Sequence, residues 1–327
     1  MEWLKQGHGG EVTSVAFGSA EEPWLVLSGD AQGLCRLWDV RVKRSVRMLG
    51  TKGDRAVGHA VLGSRGDAFV GCGNGLSRFD LGSSRVILDV AAEKVADGAH
   101  TDEVAEVDVH PDGVHVLTAS DDGHVRVFDF SQAGAEPTLC FDKKAHETMC
   151  SAVRFTSKEH WDHIASAGYD FVLNSWKRGV HTSETIGFSQ DPRAVTQAGA
   201  QMINPPFANA LSTSGNLDTI AVAFGDGTVG VSSANTPTRL DARFPAHQGA
   251  SCDLALSQDG ALMLTASNSK VLRLWSRVGE TWTADPALQW SLDVPVKVNR
   301  VALSRDSQHA VVALTGLNDL LVVPVCP

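Results

Sequence analysis

Four histidines, His8, His100, His146 and His247, each stand 28 to 30 residues ahead of a large aromatic residue, Trp38, Phe128, Trp176 or Trp275. Imidazole is the commonest general base, so the series invites a catalytic reading. Yet a base is needed once, in one pocket, and these histidines recur beside the same neighbours, which marks a structural device. No serine lies in a G-x-S-x-G elbow or another nucleophile motif. The run GCGNG, Gly71 to Gly75, has the glycines of a phosphate loop but precedes a strand pattern instead of a helix, so it reads as a hairpin turn. Glu159, His160, Asp162 and His163 crowd into EHWDH, but His-x-x-His is not the i, i+4 pairing of helical zinc sites, so a polar loop is expected. No catalytic residue, metal site or cofactor is expected.

The elements that carry the histidines repeat. Taking Trp38, Phe79, Phe128, Trp176, Val231, Trp275 and Val323 as equivalent gives spacings of 41, 49, 48, 55, 44 and 48 residues, which makes seven units. In the best copies a histidine leads into an alternating run (VTSVAF, VAEVDV, CSAVRF, CDLAL). A second short run (VHVLTAS, HIASAG, ALMLTAS), a turn and the aromatic-bearing strand follow. Period-2 alternation, short runs and Gly/Asp/Asn turns argue for β-structure throughout, with each unit a small antiparallel sheet.

Composition narrows the rest. Apolar residues make up 43% and charged residues 20%, ordinary globular usage, and 38 acidic against 28 basic residues leave a net charge of -10. That field favours neither nucleic acid nor an anionic membrane surface as partner. There is no apolar run long enough to span a bilayer and no leader pattern, so a soluble protein of the cytoplasm or nucleus is expected. Cysteines 35, 72, 140, 150, 252 and 326 form no C-x-x-C pair and fit reduced thiols.

The units resemble those of the WD-repeat family, over nearly the whole chain. The resemblance implies a relay of hydrogen bonds from Trp through Ser/Thr and His to Asp within each blade. His146, Ser166, Asp170 and Trp176 match it most fully. In the unit of His100, Thr118 and Asp122, Phe128 replaces Trp; the unit of His247, Thr265 and Trp275 has Ser269 in place of Asp; the first unit has His8, Ser28 and Trp38 with Gln32 at the Asp position. The implied fold is all-β, a single seven-bladed propeller with units at 8–49, 50–90, 99–141, 145–188, 203–242, 246–290 and 296–327. Residues 1–6 would supply the outer strand of the last blade and close the ring.

The function implied is a non-catalytic protein-interaction scaffold. Loops carrying the histidines and turns between second and third strands share one face of such a ring, here called the top. It would receive Glu11, Asp30, Asp102, Glu103, Asp121 and Glu147 against Arg55 and Lys297, so a basic peptide or protein surface is the expected partner. Trp38-Asp39-Val40-Arg41 matches the family's Trp-Asp-x-Arg signature, which implies that Trp38, Asp39 and Arg41 contact the propeller adaptor of a cullin-RING ubiquitin ligase and that the chain is a substrate receptor. The alternative is a permanent subunit of a large multiprotein assembly. The stretch SQDPRAVTQAGAQMINPP, residues 189–206, departs from the repeat as either a binding loop or an insertion without a role.

Overall fold

Each unit has runs of about six residues rich in Val, Leu, Ala and Phe, broken by short Asp/Gly turns, which suits hairpins whose two faces are both covered. The computed structural model describes residues 1–5, 7–18, 22–51, 55–82, 90–91, 94–96, 99–132, 136–186 and 205–325. They form seven antiparallel sheets. The first blade runs outward through Val12–Phe17, Leu25–Asp30, Leu34–Asp39 and Arg44–Gly50. The other inner strands are Val57–Leu62, Val104–Val109, Cys150–Phe155, Ala208–Thr213, Ser251–Leu256 and Val298–Leu303. No helix among the described residues is long and apolar enough to cross a membrane.

The second blade corrects its expected end near residue 90. Its outer strand is Lys94–Ala96, while Val90–Ala91 lies parallel to Arg44–Gly50 of the first blade. The chain visits the neighbouring edge before returning, which hairpin periodicity does not encode. The seventh blade takes Glu2–Leu4 as its outer strand, paired antiparallel with Leu320–Pro324, so the first residues close the ring. Closure of this kind removes the free edges that an open sheet would present.

Apolar side chains collect between blades. Seven buried clusters occur, one at each junction; that between the last and first blades joins Leu4, Val311 and Val322 to Val12, Val26 and Trp38.

A polar seam runs inside the apolar layer. Every inner strand slips register at its second residue, for example between Val12 and Ser14 and between Val298 and Arg300, and the bulge turns that residue toward the next blade. Thr13 Oγ1 donates to Val57 O (2.6 Å), Ser151 Oγ to Ala208 O, Asn209 Nδ2 to Ser251 O (2.8 Å), and Asn299 Nδ2 to Val12 O (2.9 Å). Cys252 Sγ approaches Val298 O at 3.4 Å. His59 meets Val107 O at 2.9 Å, and Asp108 Oδ2 accepts from Phe155 N at 2.8 Å. Each of the seven junctions thus has a side-chain bond to the next strand's backbone. Gly58 occupies the bulge of the second blade because a Cβ there would stand 1.9 Å from Val104 O.

Leu4 is 1% exposed although its strand has only three residues, so its side chain seals the ring. Leu4→Ala is expected to cost about 2–4 kcal/mol in urea unfolding, more than other single changes in so short a strand.

Candidate functional site

The turn between second and third strands brings an acidic residue under the histidine that precedes the inner strand, and the hydroxyl on the second strand lies behind it. In the first blade Trp38 Nε1 donates to Ser28 Oγ (2.7 Å), Ser28 Oγ meets His8 Nε2 (2.6 Å), and His8 Nδ1 meets Asp30 Oδ2 (2.9 Å). The acid is therefore Asp30 and not the residue at the Gln32 position. Asp30 Oδ1 accepts from Gln32 N and Leu34 N, both at 2.9 Å, so the carboxylate reaches the histidine from two residues earlier in the turn. It is fully buried, which removes Asp30 from the expected partner-binding residues.

The third blade joins His100 Nε2 to Thr118 Oγ1 (2.8 Å) and His100 Nδ1 to Asp122 Oδ2 (3.2 Å), with Phe128 filling the aromatic place. The fourth joins His146 to Ser166 (2.8 Å) and Asp170 (2.9 Å), but Trp176 does not complete the chain. Its indole lies flat on His181 of the outer strand (5.0 Å, 15°), and His181 Nε2 bonds Asn174 Oδ1 at 2.9 Å. An outer-strand imidazole has taken the ring away from the hydroxyl. The sixth blade keeps Trp275 Nε1 to Thr265 Oγ1 (3.0 Å) and Thr265 to His247 Nε2 (2.8 Å); Ser269 bonds Ser267 instead of the histidine.

The imidazoles of His100, His146 and His247 are poor bases. Burial pushes His100 down to about 4 and His247 down to about 3, where Arg273 adds to burial and no carboxylate opposes it. Burial also lowers His146, against the pull of Asp170. A neutral, enclosed histidine bonded to the hydroxyl of the second strand ties strands together; it is not placed to act on a substrate.

Arg41 sits at the other face of the first blade. Its guanidinium grips Asp39 (Nη2–Oδ2 2.6 Å, Nε–Oδ1 3.0 Å) and lies 4.0 Å from the centre of the Trp24 ring. The Arg41 bond holds the Asp39 carboxyl below its usual range. The side chain is 57% exposed, so its rim remains accessible although its geometry is fixed. Trp38 is buried and turned into the relay and Asp39 is buried beneath the guanidinium, so Arg41 is the exposed member of the tetrapeptide.

On the top face, Asp102 and Glu103 are exposed and Asp121 half-buried. Burial raises Asp121 to about 6, helped by the neighbouring charges of Asp102, Glu103 and Asp122. Glu11 accepts a hydrogen bond from Asn299 Nδ2 (2.7 Å), and Glu147 is paired with Lys144 (2.9 Å), which partly offsets its charge. Lys297 and Arg55 are exposed on other blades.

Beside the acids, the fourth blade shows Met149 (41% exposed) and Tyr169 (36% exposed). Tyr169 and Phe171 each stand 5.0 Å from Phe207 of the fifth blade. Phe171 has φ +64°, at the turn position where Gly33, Gly123 and Gly227 have φ of +85°, +78° and +84°. A bulky residue in the left-handed region stores strain, and such strain concentrates at functional sites. Sequence reading missed this patch because no residue type announces it; the aromatic at a glycine position in YDFV was the available signal.

The channel holds a second set that sequence reading missed. Glu106 bonds Arg154 (2.6 Å) and faces His59 (3.8 Å), and Asp253 faces Arg300 (3.8 Å), around a cavity of about 230 Å³. Burial raises Asp253 to about 6 and lowers His59 to about 4. These residues come from separate inner strands, so only the ring brings them together. The GCGNG run is a hairpin turn between Asp67–Cys72 and Gly75–Asp80, and EHWDH lies in the loop before Ile164–Gly168. Of residues 189–206 only Pro205 and Pro206 fall within the described residues.

A ring of seven units, tied by His–Ser/Thr bonds and closed by its own N-terminal strand, is a seven-bladed β-propeller, and WD repeats are found in it. The family described as WD domain, G-beta repeat, matches residues 2–39, 95–129 and 239–276. The chain is similar to the WD repeat-containing protein 53 homolog of Dictyostelium discoideum, 22% identical over 237 residues, covering 68% of this chain and 62% of that protein. It is also similar to nucleoporin SEH1 of Saccharomyces cerevisiae, 32% identical over 91 residues, covering 28% of this chain and 26% of that protein. The matches thus span less than two thirds of either relative's length. WD40 propellers are typically non-enzymatic scaffolds for protein interaction.

Two measurements check the relay. Trp275→Phe is expected to destabilise by roughly 1–2 kcal/mol more than Trp176→Phe in chemical denaturation, because only Trp275 loses a buried hydrogen bond. For His247 the folded state refuses a proton that the unfolded chain accepts near pH 6.5, so its stability term is present above that pH and lost as pH falls toward 3. The stability gap between wild type and His247→Gln is expected to narrow by roughly 2 kcal/mol between pH 7 and pH 5.

Proposed function

We propose that the protein is an interaction scaffold whose top face receives a segment bearing Arg or Lys beside an apolar side chain. The observation that carries this reading is the juxtaposition of Asp102, Glu103 and Asp121 with the Met149, Tyr169, Phe171 and Phe207 patch on adjoining blades. Acidic charge attracts and orients the cation, and aromatic area supplies the desolvated contact that usually dominates such interfaces. A second reading rests on Arg41. Held by Asp39 and Trp24 yet 57% exposed, it is preorganised for a carboxylate or carbonyl on a neighbour, which supports docking to a propeller adaptor and a role as substrate receptor of a cullin-RING ligase. Permanent membership of a large assembly is the alternative, and the likeness over 91 residues to a nucleoporin favours it.

Affinity purification with mass spectrometry separates these readings. Asp102→Lys with Glu103→Lys is expected to remove top-face partners at least tenfold without changing the melting temperature. Arg41→Ala is expected to remove ligase components while keeping those partners. Recovery of the same proteins at the same levels from both variants overturns the top-face and receptor readings together, and partners that survive a high-salt wash then favour the fixed subunit.

A further inference from the structure

The turn between inner and second strands of the third blade reads His110-Pro-Asp-Gly-Val-His115. Its counterparts in the sixth and seventh blades hold the turn with a hydroxyl: Ser257 Oγ accepts from Leu262 N (2.9 Å) and donates to Asp259 Oδ1 (2.6 Å), and Ser304 Oγ accepts from His309 N (2.9 Å) and donates to Asp306 Oδ1 (2.5 Å). The turn therefore does not need an imidazole at 110. Asp112 Oδ1 already caps the turn by accepting from Val114 N (2.8 Å) and His115 N (3.1 Å), which leaves Oδ2 for other duties.

Oδ2 lies 2.9 Å from His110 Nδ1 and 2.6 Å from His115 Nδ1, and the three atoms stand within 4.8 Å of one another. The two contacts differ in kind. His115 Nδ1 is hydrogen-bonded to the carboxylate, whereas His110 Nε2 is committed to Ser157 O (3.0 Å) and must donate there. The remaining nitrogen of a neutral His110 carries a lone pair, accepts weakly from Asp112 N (3.3 Å), and faces the carboxylate oxygen acceptor to acceptor. A cation between them would relieve that opposition. The Nε2–H to carbonyl bond is also the arrangement that fixes the tautomer and direction of metal-binding histidines.

The rings are held from the next blade. Trp161 stacks on His115 (4.9 Å, 9°), and Phe155 meets His110 edge-on at 5.1 Å. His110 and His115 side chains are 3% and 15% exposed and Asp112 is 31% exposed, so the group opens to solvent on the carboxylate side. Two imidazole nitrogens and one carboxylate oxygen, with one side left to water, form the donor set of an open zinc site. Zinc bonds of about 2.0–2.2 Å place neighbouring ligands some 3.3 Å apart, so the trio would open by a few tenths of an ångström.

We propose that His110, Asp112 and His115 bind one divalent transition-metal ion, zinc foremost, on the face opposite the acidic rim, with a remaining position for water or a partner's side chain.

The test uses the full chain, untagged and stripped with chelator, titrated with zinc chloride by calorimetry. The variants His110→Ser and His115→Leu carry the residues that the sixth blade has as Ser257 and Leu262, and melting curves in chelator report whether each still folds. One equivalent of tight zinc is expected for the wild type, with affinity at least tenfold lower in each variant and unchanged melting in chelator. His160→Asn with His163→Asn is expected to bind as the wild type does. Absence of saturable binding, or binding equal in wild type and both variants, overturns the proposal. So does loss of binding in Cys140→Ser with none in His110→Ser, which would move the ion to the neighbouring His115, Asp129 and Cys140 group.

Discussion

The ring depends on the bonds that inner strands make across each junction. A propeller's blades splay outward, so their apolar contacts thicken toward the rim while the centre is left with backbone close to backbone and little side-chain volume. Here a one-residue bulge in five of the seven inner strands sends a small polar or thiol group, such as Thr13, Ser151, Asn209 or Asn299, onto the neighbouring backbone, and His59 and Asp108 make the bond at the other two junctions. Each bond contributes about 1 kcal/mol, but together they fix the angle between blades, and the angle decides whether seven sheets close. Asn299 to Val12 O completes the inner ring just as Leu4 completes the outer one.

The relay of His, Ser/Thr and acid works at a different radius. It joins the loop that precedes each inner strand to the second and third strands of the same blade, so it stiffens blades while the bulge bonds join them. The two systems explain why the relay tolerates omissions. The sixth blade lacks an acid for His247 and the fourth has lost its indole bond, yet both blades retain their inner-strand bonds and buried clusters. With the frame secured in this way, the turns of the top face are free to vary: the strained Phe171 stands where three other blades have Gly33, Gly123 and Gly227, and Asp102 stands where the first and sixth have Gly10 and Gly249.

Repeat spacing and period-2 alternation were enough to count seven units, and the ring closure implied by the family resemblance placed residues 1–6 on the last one, where Glu2–Leu4 pairs. The relay was legible where its members lie at a fixed offset, as in His100, Thr118 and Asp122. It was misread where offset and geometry part company: Asp30 serves the histidine from two residues before the expected place, and Trp176 faces His181. An offset counts residues along the chain, whereas a hydrogen bond depends on where the turn points the carboxylate and on which ring arrives first.

What the sequence determined by itself is therefore whatever repeats along one strand or one hairpin: the all-β class, the number of blades, the histidine–hydroxyl pairs and the Trp-Asp-x-Arg tetrapeptide. What only the tertiary structure decided is whatever forms between blades. The channel group of His59, Glu106, Arg154, Asp253 and Arg300 draws on five inner strands, and the His115–Trp161 stack joins turns of two blades. The physical reason is that periodicity records which face of a strand is buried, while neighbours across a junction are set by the closing angle of the ring, a property no single repeat contains.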